Sequence, residues 1–97
     1  MVDTANPYHG LIEEIIRKQA SVMGISVAVR RASNVAGLTI AEDGTVKELQ
    51  QNAIPVLERL VDQYKALSGA MGVELCKQAA SMFRQTHPEM LLPSILA

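Results

Sequence analysis

The sequence predicts an all-α fold, a small bundle of three to four helices with one short extended, hairpin-like loop at residues 37–45. Three observations predict it. Apolar residues recur at Ile54, Leu57, Leu60, Val61, Tyr64 and Leu67, then at Val73, Cys76, Ala79, Ala80 and Phe83. Those steps of three and four draw one stripe along a helical surface. Apolar residues make up 48% of the chain but aromatics only 3%, so the core must be built from Leu, Ile, Val, Ala and Met. Such side chains suit close helix packing better than a β-sandwich, which uses aromatic and β-branched residues. The chain has 97 residues and no repeat, low-complexity tract or linker, so residues 1–97 are expected to form a single helical domain.

Residues 1–5 carry no pattern and are expected to fray. Asn6-Pro7 marks a helix start: Asn can cap free backbone N–H groups and Pro is favoured at the first helical position. Leu11, Ile12, Ile15 and Ile16 come next at helical spacing, with Glu13–Arg17 and Glu14–Lys18 four apart on the polar side. The segment at 25–31 reads two ways. Ile25, Val27 and Val29 alternate as in a half-buried strand, whereas Val22, Ile25, Val29 and Ala32 share one helical face. Gly24 is the only turn signal in the run. Helix is therefore the favoured reading, continuous over residues 7–33 and about 40 Å long.

Asn34 and Gly37 end that helix. Residues 38–41 read as a short extended piece, with Leu38 and Ile40 pointing inward, and Glu42-Asp43-Gly44 reads as a turn. A tiny hairpin is conceivable here, although two strands this short are not stable alone. Thr45-Val46-Lys47-Glu48 has the spacing of a capping box, which predicts a helix starting at Val46. Pro55 cannot sit inside a continuous helix, so a break is expected near Asn52, with Asn52 capping a new helix.

Residues 53–67 carry the strongest helical pattern. Two glycines three apart, Gly69 and Gly72, would cost about 2 kcal/mol relative to Ala inside a helix, so residues 68–72 are expected to form a turn between antiparallel helices. A further helix covers residues 73–84, with Gly72, Cys76, Ala79 and Ala80 as a ridge of small side chains. Thr86-His87-Pro88-Glu89 is a second capping box, and Pro93 limits the tail beyond it to a turn or two of helix.

Composition argues against several functions. Nine basic and ten acidic side chains give a net charge of −1, and the only adjacent basic pairs are Arg17-Lys18 and Arg30-Arg31. A duplex binder needs cations gathered on one face, so no nucleic-acid partner is expected. No run reaches the roughly 18 apolar residues that span a bilayer, so no membrane partner is expected either. One cysteine permits no intramolecular disulfide, and the first ten residues lack a basic and an apolar secretory region. A cytoplasmic protein is the expectation.

The residues that could carry chemistry have blander explanations. His9, His87 and Cys76 lack metal-ligand spacing, so no metal or cofactor is expected. Cys76 falls on the inward stripe, where a buried thiol makes a poor nucleophile. Glu13-Glu14 and Glu58 with Asp62 lie on polar faces, where a general acid or base would lack its cleft. No catalytic residue is expected, and the chain is not expected to be an enzyme. The C-terminal stretch holds Met90, Leu91, Leu92, Ile95 and Leu96, an unusually apolar tail for a small monomer. It either folds back over the helices or forms an interface, and a homodimer is expected. These features favour a non-catalytic helical interaction module, an adaptor or regulatory subunit. The alternative is a small-molecule sensor holding a ligand between helices near Met71, Leu75 and Met82, where adaptable Met side chains could line a pocket.

Overall fold

The first helix, α1 (Pro7–Met23), begins as its sequence requires: the Asn6 side chain accepts the Tyr8 N–H at 3.0 Å, and Pro7 fills the first position. A computed structural model describes the chain over residues 6–97; the fraying expected of residues 1–5 lies outside the described residues. After α1 come α2 (Ile25–Ser33), a two-stranded antiparallel hairpin of β1 (Leu38–Ile40) and β2 (Val46–Leu49), then α3 (Ala53–Ser68) and α4 (Ala70–Thr86). The all-α architecture with one small hairpin is therefore what the molecule has.

The long first helix is two helices. Residues 25–31 are helical, but Gly24 stands between with φ 89° and ψ 152°, outside any helical region. A continuous 40 Å rod would also outrun a molecule whose Cα extents are 31 × 27 × 21 Å. Breaking at Gly24 folds α2 back so that Ala28 and Ala32 reach the core.

The capping box at Thr45 makes no helix. Asp43 takes both the N–H and the hydroxyl of Thr45, at 3.0 and 2.8 Å, and closes the turn instead. That hydrogen bonding holds the Asp43 carboxyl below the usual carboxylate range. Val46 then gives its N–H to Glu13 of α1 at 2.9 Å and pairs with Ile40. The register slips between Thr39 and Ile40, leaving Lys47 unopposed. This bulge lets Val46 and Leu49, three apart, both turn toward the core, so the alternation that marks a strand is missing from the sequence. The hairpin runs on to Leu49, past the expected loop at residues 37–45.

Asn52 caps α3 as expected, its side chain accepting the Ile54 N–H at 3.3 Å. Pro55 is the third residue of α3, where its missing N–H would have found no partner anyway. The turn between α3 and α4 is one residue, Gly69, with φ 62°. Gly72 lies inside α4, not in the turn, and α4 extends beyond the expected residues 73–84 at both ends, from Ala70 to Thr86. The second capping box also fails: Thr86 and His87 terminate α4, the His87 N–H bonding to Phe83 O at 2.8 Å, and the tail beyond has turns but no helix.

The core is the predicted stripe with additions. Leu57, Leu60, Val61 and Tyr64 of α3 and Cys76, Ala79 and Ala80 of α4 are buried together with Leu11, Ile12, Ile15 and Ile16 of α1. Leu67, expected on the stripe, is exposed, and Val56 takes an inward place. Gly10 lies against the Phe83 ring while Gln19 lies against Gly72, so α1 and α4 run antiparallel.

Candidate functional site

Helices α1, α3 and α4 meet around Gly72. A Cβ placed there would stand 2.5 Å from the Tyr64 carbonyl oxygen of α3, so only glycine permits the approach. From α1, the fully buried Gln19 donates its amide to Gly72 O at 2.9 Å and lies 3.6 Å from Cys76 Sγ. Tyr64 completes the cluster by donating its hydroxyl to Ala28 O of α2 at 2.7 Å. Four helices are thus tied by two buried side-chain-to-backbone hydrogen bonds, each worth about 1 kcal/mol net.

The protonation of this cluster follows from its burial. Burial pushes the Cys76 thiol up to about 12, with the Gln19 hydrogen bond opposing the shift only in part. At neutral pH the sulfur is therefore a thiol and a weak nucleophile. Burial raises the Tyr64 hydroxyl as well, keeping it a donor. Gln19 Oε1 is buried without a hydrogen-bond partner. Nothing in its sequence marks Gln19: it sits among Lys18, Ala20 and Ser21, and only the close approach of α4 shows why an amide is buried there.

The tail is divided between two environments. Met90 and Leu96 are buried in the core and Leu92 packs on it, whereas Leu91 is 73% exposed and Ile95 39% exposed. Tyr8 fastens the tail to α1 by donating its hydroxyl to Leu91 O at 2.6 Å. Of the five apolar tail residues, the fold itself uses three and leaves two outward.

None of Met71, Leu75 and Met82 borders the three hollows described below. Met71 and Met82 face solvent and Leu75 is half-buried. One hollow, of about 620 Å³, is bordered by His9 and the two strands, including Leu38, Thr39, Lys47 and Leu49. A second, about 300 Å³, lies where Ile95 of the tail meets Glu58, Asp62 and Lys65 of α3. A third of about 100 Å³ sits between α1 and the Asp43–Thr45 turn.

The remaining candidates are scattered. His87 stacks on Phe83, ring centroids 5.9 Å apart, and its Nδ1 is 2.9 Å from Thr86 Oγ1. Glu14 pairs with Arg17 and, at 3.9 Å, with Lys18; Glu13 accepts from Val46. Arg30 and Arg31 lie in the last turn of α2, where cations interact favourably with the helix dipole. Among the described residues no three His, Cys, Asp or Glu side chains come together to hold a metal ion, and no helix is long and apolar enough to cross a membrane. Compared with known proteins, the chain matches no protein-family model, no curated protein and no solved structure.

Proposed function

We propose that the chain is a non-catalytic helical protein-interaction module, an adaptor or regulatory subunit, acting as a homodimer in the cytoplasm. The observation that carries this reading is the grouping of outward apolar side chains on a well-packed bundle. Val22, Ile25, Leu67 and Met71 lie beside the α1–α2 and α3–α4 turns, and Leu91 and Ile95 lie on the tail. Single exposed apolar residues are ordinary on any protein. Grouped ones mark contact surfaces. The charge balance supports protein over nucleic acid as partner, since nine basic side chains are scattered along the sequence against ten acidic ones.

The sensor reading has less support. A ligand pocket needs convergent walls, and two of the three residues suggested for it, Met71 and Met82, stand outward. Light scattering on the purified chain across a concentration series tests the proposal. A mass approaching twice that of one chain is the expected result. A single-chain mass at every concentration would remove the homodimer.

A further inference from the structure

The backbone hydrogen bonds of the tail are its own. Met90 gives its N–H to His87 O at 3.0 Å, and Leu96 and Ala97 give theirs to Pro93 O at 2.9 and 3.1 Å. Among the described residues, one hydrogen bond crosses from residues 88–97 to a helix: the 2.6 Å bond from the Tyr8 hydroxyl to Leu91 O, which is exposed. Lifting the tail breaks that bond and leaves the internal turns intact. Water can replace a partner in an exposed hydrogen bond at little net cost.

Apolar burial supplies the rest of the attachment. Met90, Pro93 and Leu96 are buried and Leu92 is half-buried, whereas Pro88, Glu89, Leu91, Ser94, Ile95 and Ala97 are exposed. The path runs from Tyr8, at the start of α1, to the middle of α3, where Ser94 and Ile95 lie beside Glu58, Val61 and Asp62. Ordering such a segment costs backbone entropy at every residue. In a helix each added residue gains a hydrogen bond in return. Here, among the described residues, three backbone N–H groups do. Few buried contacts and a solvated backbone mark a unit that opens before the rest of a protein.

We propose that residues 88–97 form a strap, latched by Tyr8, that lifts from α1 and α3 as a unit while the four helices stay folded. Lifting uncovers the apolar surface under Met90, Leu92 and Leu96. Leu91, at the latch, and Ile95, beside α3, point outward in the closed strap. Both of the tail's exposed large apolar side chains therefore ride on the piece that moves. The inference concerns a single chain and stands apart from the homodimer reading.

Cys76 supplies a reference within the protein, since its thiol is buried in the core between the helices. Met90→Cys and Leu96→Cys, made separately, each place a second thiol under the strap; circular dichroism checks that both variants keep their helices. Reaction with a thiol reagent is followed by peptide mass spectrometry, each rate being divided by that of the same thiol in the urea-unfolded chain. A weakened closed state raises both rates alike, so their ratio reads the strap. The expected result is that both tail thiols react at least about 10-fold more readily than Cys76. Low urea should speed Cys76 more steeply, because sensitivity to urea scales with the surface that an opening exposes. Adding Tyr8→Phe, which keeps the ring and removes the latch, should speed the tail thiols by about 3- to 10-fold, the worth of one hydrogen bond. Tail thiols that react no faster than Cys76, with the same urea dependence, overturn the strap, since the tail then leaves only when the whole molecule unfolds. One tail thiol reacting early without the other shows peeling rather than lifting as a unit and also overturns it. An unchanged rate with Tyr8→Phe removes the latch.

Discussion

Gly72 sits in the first turn of α4, where a helix would ordinarily favour almost any other residue over glycine. Replacing it with Ala should gain about 1 kcal/mol of helix propensity. The added Cβ would, however, press on the Tyr64 carbonyl, a backbone atom that cannot swing aside. Separating α3 from α4 by that amount also loosens the Gln19–Gly72 and Tyr64–Ala28 hydrogen bonds on either side. The clash should win, with Gly72→Ala costing about 1–3 kcal/mol net, as overpacking does elsewhere. Urea unfolding measures it, and an unchanged or raised midpoint would show that the helices part without cost. The sequence placed Gly72 correctly on the ridge of small residues with Cys76, Ala79 and Ala80, yet also assigned it to a turn. Propensity counts each glycine as a local defect. It cannot register a neighbouring backbone 2.5 Å from where a side chain would begin.

Among the elements, those held by local rules were legible and those held by distant partners were not. Asn6, Asn52 and Pro7 act within their own helix turn, so their roles could be read from the sequence. Thr45-Val46-Lys47-Glu48 has the pattern of a helix start and forms a strand, because Asp43 claims the Thr45 hydroxyl and Glu13, 33 residues earlier, claims the Val46 N–H. The break at Gly24 belongs to the same class. Helical periodicity runs straight across it, since both helices bury a face in the same core. Gly24 itself holds a φ and ψ open almost only to glycine. Gly24→Ala should therefore destabilise the protein by about 1–3 kcal/mol although nothing lies within 4 Å of the new methyl group. A Tm equal to that of the wild type would mean that the chain can turn this corner another way.

At the scale of the whole molecule, the C-terminal tail closes the core over α1 and α3. Leu96 is 5% exposed, and truncating it to Ala should cost about 2–4 kcal/mol. Leu91→Ala, earlier in the tail and facing solvent, should change stability by less than about 0.5 kcal/mol. Comparable losses at both positions, measured by thermal unfolding, would show that the tail packs differently. Composition and periodicity by themselves determined that this protein is a helical bundle with an apolar core along Leu57, Leu60, Tyr64 and Cys76, because burying a stripe every three to four residues is a property of the chain alone. Only the tertiary structure decided where the long helix breaks, that Gln19 is buried, and which tail residues fold inward. Each of those depends on which surfaces meet, and that is fixed by the packing of all the helices at once.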